Sequence, residues 1–205
     1  MEQTERRTRL IKYLLEERKE TISIPSDEDS QKKLLRALLN VRPPMPVSAE
    51  FLSLQDEYLT GRKNERGIMD VKNLVYSDGV SLIKGDITTL NADAIVNAAN
   101  SAMLGCFHPL HNCIDNAIHT FAGVQVRLDC NNIMKGNEAE NGEVIVTKAY
   151  NLPSRFIFHT VGPIVYGRVT KENEADLAKC YRNCLKKADE MKLDGIAFCC
   201  ISTGG

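Results

Sequence analysis

The sequence predicts an α/β fold in which a helical N-terminal part precedes a mixed, mostly parallel sheet. Three observations carry this. Residues 1–70 show apolar side chains at helical spacing amid many charges. From about residue 73 the period shortens to that of strands, and apolar runs such as "ADAIVNAAN" and "RFIFHTVG" alternate with helical segments. The run "IAFCCIS" near residue 200 is apolar throughout, as a strand covered on both faces should be.

Each element has its own justification. "TERRTRLIKYLLEERKE" puts Leu10, Ile11, Leu14 and Leu15 on one stripe. "DEDSQKKLLRALLNV" opens with acids that suit a helix N-terminus and carries Leu34, Leu35, Leu38 and Leu39. "VRPPMPV" breaks it. "SAEFLSLQDEYLTGR" has Ser48 as its cap and Phe51, Leu52, Leu54 and Leu59 as apolar positions. "GRKNERG" reads as a solvated linker. "NLVYSDGVSLIKGDIT" reads as two strands around the turn "SDG". "ADAIVNAAN" is a short strand, "CIDNAIHTFAG" a helix with Ile114, Ile118 and Phe121 aligned, and "GEVIVTKAYNLPSRFIFHTVG" two strands parted by "NLPS". "EADLAKCYRNCLKKADEMKLDG" aligns Leu177, Tyr181, Cys184 and Ala188 on a helix closed by Gly195. The chain then stops at "STGG", where a strand should hand over to a ligand-binding loop, so part of the site is expected beyond it.

The totals narrow the functional classes. The 205 residues suit one sizeable domain plus a small extension, and the net charge of −1 argues against a nucleic-acid partner held by a basic surface. No apolar run approaches the ~18 residues of a membrane span, and "MEQTERRTRL" lacks the apolar core of a secretory signal. A cytoplasmic protein with no membrane or nucleic-acid partner is the expectation. Its seven cysteines are an odd number and should be free thiols, each a small buried hydrophobe unless other ligands gather round it.

One stretch gathers them. "GCFHPLHNC" holds two cysteines and two histidines. Cys106, His111 and Cys113 offer thiolates and an imidazole, the donors zinc favours, and three ligands leave a fourth position for water or substrate. Adding His108 would close the shell and make the site structural, although Pro109 restrains both histidines from wrapping one ion. Asp115 follows at a helix start. It either complements the helix dipole or orients a water or hydroxyl. His119, one turn on, reads as a helix-face histidine satisfied locally, and His159 as a buried, hydrogen-bonded strand residue. Cys180 and Cys184 read as core, Cys199 and Cys200 as alternating faces of a buried strand, and Cys130 has no sequence partner.

Four blocks, "VSLIKGDITTLNADAIVNAAN", "CIDNAIHTFAG", "KAYNLPSRFIFHTVGP" and "IAFCCISTG", resemble in order and spacing a macrodomain, an ADP-ribose-binding module of three α/β/α layers, over residues 73–205. "SAMLGCFHPLHNC" stands where many macrodomains carry glycines. It is similar to the zinc-dependent macrodomains of certain bacteria, which also have a helical N-terminal extension like residues 1–70. The resemblance implies a protein-ADP-ribose hydrolase with Zn2+ on Cys106, His111 and Cys113. It implies a substrate in which ADP-ribose is ester-linked to an acidic side chain, on a carrier such as a lipoyl-carrier protein modified by a sirtuin-type ADP-ribosyltransferase. It further implies that Asn100 holds the distal ribose, that Asp115 orients water or a ribose hydroxyl, and that Asp86 and the Ile87 amide receive adenine. Asn97 and the loop of Ser202, Thr203 and Gly204 complete the expected substrate contacts, the loop amides cradling phosphate. Two other readings stay open at this point: a reader that binds ADP-ribose without cutting it, and an inactive module with a structural zinc.

Overall fold

The computed structural model describes residues 1–203. Three helices come first, α1 (Gln3–Arg18), α2 (Glu28–Val41) and α3 (Ala49–Arg66). Each has an apolar stripe that it cannot bury alone. Leu10, Ile11 and Leu14 of α1 meet Leu35 and Leu38 of α2 and Phe51 and Leu59 of α3 in one core. Side chains cap the starts: Asp27 accepts from the Ser30 amide, and Ser48 from the Phe51 amide. The expected linker at residues 61–67 is helix through Arg66. Tertiary contacts hold that last turn. Arg66 pairs with Asp86 at 2.5 Å, and its guanidinium stacks 3.6 Å from the centre of the Phe121 ring.

The body is built on strands β1 (Met69–Asp70), β2 (Leu90–Asn91), β3 (Ala94–Ala99), β4 (Val144–Lys148), β5 (Phe156–Val161) and β6 (Ile196–Ala197). β1 and β2 form a separate parallel pair, while the main sheet runs β4-β5-β3-β6. β5 and β6 lie parallel to β3, and β4 is antiparallel to β5. Helices α4 (Ile114–Ala122) and α5 (Val124–Met134) cover one face, and α6 (Lys171–Glu190) the other. Strand alternation sorts the side chains between them. Ile95 and Ile157 pack under α4 and α5, whereas Ala94, Val96 and Phe158 pack under α6. This is the three-layer arrangement expected of the sequence.

Several local expectations change. No hairpin forms around "SDG". A lone bridge joins Ser77 to Val80, and Val75, Val80 and Leu82 are exposed. Two short strands with nothing packed on their apolar side have too little to hold them. The last strand pairs only at Ile196 and Ala197, opposite Ala94 and Ile95. Beyond it Cys199 is half-buried and Cys200 exposed, because β6 is an edge strand with β3 on one side and, among the described residues, no strand on the other. Helix α6 ends at Glu190 rather than near Gly195, since Lys192 turns left-handed at φ 53°. α5, which lacks a clear periodic stripe, was not separated by the sequence pattern.

The helical part is tied to the body through polar groups. Arg127 of α5 is buried and donates from Nε to the Leu104 carbonyl at 2.7 Å, and from its guanidinium to those of Leu39 and Arg42. Gln55 of α3 accepts from the Val124 amide at 3.0 Å, and Asn151 donates to Asp56 at 2.8 Å. Replacing Arg127 by Met would leave buried carbonyls without donors. A loss of about 2–4 kcal/mol in unfolding free energy is expected by urea denaturation, against about 0.5 kcal/mol or less for the exposed Arg168→Met.

Candidate metal centre and ligand-binding edge

Because β3, β5 and β6 run parallel, their carboxyl ends share one edge of the sheet, where α/β folds bind ligands. Asn100 follows β3 and is exposed. Gly162 follows β5, and the turn at residues 201–203 presses against it so closely that a Cβ there would lie 2.3 Å from Ser202 Oγ. Thr203 Oγ1 donates to the Cys200 carbonyl at 3.0 Å. Gly204 lies outside the described residues. Asp86 caps the 3-10 turn Ile87–Thr89 and accepts from the amide and hydroxyl of Thr88. Burial works to raise its pKa, but the bonds from Thr88 and Arg66 outweigh that and lower it. Its side chain keeps half its surface open, while Ile87 packs against the core.

Asn97, expected among the substrate contacts, is fully buried, because position 97 of β3 faces α4. Its amide nitrogen donates to Asp115 Oδ1 at 2.8 Å and lies 3.1 Å from His159 Nδ1, its register partner on β5. Asn97 therefore supports the site from beneath.

The loop of residues 100–113 carries the candidate metal centre. Asn100 Nδ2 donates to the Gly105 carbonyl at 3.0 Å, so the residue after β3 also shapes the approach to Cys106. Gly105 has φ +83°, and a Cβ there would lie 2.9 Å from the His119 ring. The ligand atoms of Cys106, His111 and Cys113 then lie within 4.8 Å of one another, with Cys106 Sγ 3.5 Å from His111 Nδ1. The exposed His108 is not in that group, and neither is Asp115. Cys113 also caps α4, its sulfur accepting from the Asn116 amide at 3.3 Å. Burial raises the Cys113 thiol, and the neighbouring Cys106 sulfur adds to this; a bound cation would reverse both effects. Two sulfurs and an imidazole in this compass fit a zinc ion with one position open.

Residues without a motif hold this loop in place. Arg36 of α2 donates to Asn116 Oδ1 at 2.7 Å and to the carbonyl of His111 at 3.0 Å. Asn116 donates to the His108 carbonyl at 3.0 Å. Asn40 accepts from the Leu110 amide at 3.1 Å and donates to Thr120 at 3.0 Å. Arg127 lies 4.4 Å from the centre of the Phe107 ring. Asn116 could have been found inside "DNAIH". Arg36 and Asn40 carry no signal, since they look like ordinary polar positions of an amphipathic helix.

Asp115 is also buried. Burial raises its pKa to about 6, against the pull of Asn97 and Arg127. His119 Nε2 lies 3.5 Å from Asp115 Oδ1, but among the described residues neither ring nitrogen finds a hydrogen-bond partner, in contrast to the local satisfaction expected of His119. His159 is buried and bonded as expected. It accepts from Asn97, and its Nε2 lies 3.0 Å from Thr147 Oγ1 and 3.8 Å from the Cys130 sulfur.

With this geometry in hand, likeness to known proteins is informative. The macro domain family profile matches residues 96–205. A protein-ADP-ribose hydrolase of Treponema medium is 50% identical over 213 residues, covering 100% of this chain and 82% of that one. One of Staphylococcus aureus (strain MRSA252) is 50% identical over 190 residues, covering 90% and 71%. Among solved structures, the Oceanobacillus iheyensis macrodomain with ADP is 45% identical with a TM-score of 0.52, over 58% of this chain and 62% of that chain. The Trypanosoma brucei macrodomain in complex with ADP-ribose is 30% identical with a TM-score of 0.58, over 82% and 74%.

The buried histidines make stability depend on pH. Burial pushes His159 down to about 3 from an ordinary value of 6.5. Its contribution is therefore full above pH 6.5 and is lost as pH falls toward 3. His119 acts in the same direction. Asp115, raised to about 6, acts in the opposite one and favours the fold as pH drops below that value. In thermal melts between pH 7.5 and about 4, His159→Gln should show a shallower fall than the wild type; parallel curves would show that His159 is not titrating on unfolding.

Proposed function

The chain belongs to the macro domain family, and from that premise we propose that it binds ADP-ribose at the carboxyl edge of its sheet and removes it from ADP-ribosylated protein with the help of a zinc ion. One observation carries the reading. Three donors suited to zinc stand within 4.8 Å of one another on the loop that begins at Asn100, the residue matched to the distal ribose. A module that only binds ADP-ribose has no need of such a cluster.

Cys106, His111 and Cys113 would hold the ion. Bound there, zinc supplies a Lewis acid and a water of lowered pKa beside the linkage. The protein's own groups do the positioning. Asn100 holds the distal ribose against the loop. Asp86 and the Ile87 amide take the adenine end, while the turn at Ser202 and Thr203 faces the phosphates. Asp115, fixed by Asn97 two residues beyond Cys113, orients the attacking water or a ribose hydroxyl from the floor of the site. The substrate is an ester of ADP-ribose with an acidic side chain. Water adds across it, giving free ADP-ribose and the restored carboxylate. Oxygen-18 from water enters the carboxylate if the ester carbonyl is attacked, and the ribose if the anomeric carbon is. A lipoyl-carrier protein modified by a sirtuin-type transferase is the first substrate to try. The free thiols suit a reducing cytoplasm.

The test is release of ADP-ribose from a mono-ADP-ribosylated protein, which a chelator should stop. Cys106→Ala should lose its zinc, measured by elemental analysis, and its turnover, while calorimetry shows ADP-ribose affinity changed by no more than about threefold. Joint loss of binding and turnover would mean that the metal only holds the loop together. Arg36→Ala removes the donors to Asn116 and to the His111 carbonyl. A drop of about 10–100-fold in zinc affinity or turnover is expected, with ADP-ribose binding retained.

A further inference from the structure

A cleft of about 300 Å³ opens between α2, α3, α4 and the loop of residues 100–113. Its size is that of a small ligand site. Its floor is apolar, made by Leu35, Leu59 and Phe121, and its walls carry Lys32, Lys33, Arg36 and Arg62. Among the described residues no carboxylate lines it. Among the described residues Lys33 has no ion pair, and Arg36 bonds only to an amide oxygen and a carbonyl. Lys32 and Arg62 pair with Glu28 and Glu65, whose side chains are largely exposed. Such pairs are weak and exchange readily for another anion. In a chain of net charge −1, this concentration of cations over an apolar floor is a local feature and does not follow from the overall balance.

The position of the cleft says what would use it. Leu110 and Asn112, the two neighbours of His111, line it. The cleft therefore adjoins the loop that carries the Cys106, His111 and Cys113 cluster. We propose that the cleft docks a segment of the substrate protein that flanks the modified residue, a segment rich in Asp and Glu with one or two large apolar side chains. The charges complement the lysines and arginines, and the apolar side chain fills the floor. The proposal rests on the hydrolase reading for its substrate, but binding in the cleft can be measured without any turnover.

The first experiment is fluorescence anisotropy with a labelled, unmodified peptide, Glu-Leu-Glu-Glu-Phe-Glu, titrated with the full chain at low and moderate salt. Binding should weaken as salt rises and should fall about tenfold in the double variant Lys32→Glu, Lys33→Glu. A peptide with Lys in place of each Glu should not bind. Arg62→Gln serves as a second variant should the double one melt early. Arg36 is left intact because it holds the metal loop. The second experiment compares two substrates. For a protein ester-linked to ADP-ribose within an acidic segment, the double variant should raise KM about tenfold with kcat unchanged. The acetate ester of ADP-ribose has no polypeptide and should be turned over as by the wild type.

Equal loss on both substrates, or none on either, overturns the proposal. So does failure of the acidic peptide to bind at low salt. Binding of octanoate without binding of the peptide would assign the cleft to a small amphiphilic anion and overturn it as well. If the wild type cleaves neither substrate, the hydrolase reading fails while the anisotropy result still decides the cleft.

Discussion

The arrangement depends on one buried amide. Asn97 stands on the central strand β3, opposite His159 in register, with no surface open to solvent. An amide in that position is costly unless its hydrogens are taken up, and here they point to Asp115 and to His159. The first bond ties sheet to helix, because Asp115 lies in the opening turn of α4. The second ties strand to strand. A slip of one residue between β3 and β5 would turn His159 toward α6 and set Phe158 or Thr160 opposite Asn97 in its place. The network thus selects the register as well as joining the layers, and it does so directly under the residue that caps α4 with its sulfur.

The loop with the zinc-type donors is short of internal support. It contains two left-handed non-glycine residues, Met103 and Leu110, at φ 58° and φ 60°, and few backbone bonds of its own. Support comes from outside: from α4 through Asn116, from α5 through Arg127, and from α2 through Arg36 and Asn40. Most of these bonds end on loop carbonyls or amides, so they specify the path of the chain and leave the sulfurs and the imidazole free. Outer partners of this kind orient the side chains of a metal site. The helical part therefore belongs to the site as much as to the architecture.

Much of this was legible in the sequence, and what was hidden shares a cause. Helices α1 to α4 and α6 could be read directly from apolar residues at helical spacing, helped at α2 and α3 by the caps Asp27 and Ser48. So could the three strands β3, β4 and β5, whose apolar runs are long enough to define a period. The three donors of the candidate metal centre were readable because chemistry and spacing coincide within one loop. The hairpin around Ser77 and the long last strand were misread because alternation reports what a segment could bury and not whether anything packs on it. The burial of Asn97 was hidden for a related reason: only the register with β5 and the packing under α4 show which face of the sheet it takes. The clamp residues Arg36 and Asn40 were invisible because their partners lie 75 and 80 positions away.

That last separation has a direction. The donors that hold the loop from α2 come before it in the chain. A ribosome releases the N-terminal end first, and early segments begin to fold while later ones are still being made. The helical part, with its own hydrophobic centre, is therefore synthesised before residues 100–113. The remaining supports, Asn116 of α4 and Arg127 of α5, come after the loop, so its final path waits on both sides of the chain. The loop is thus a junction at which segments made before it and segments made after it must meet.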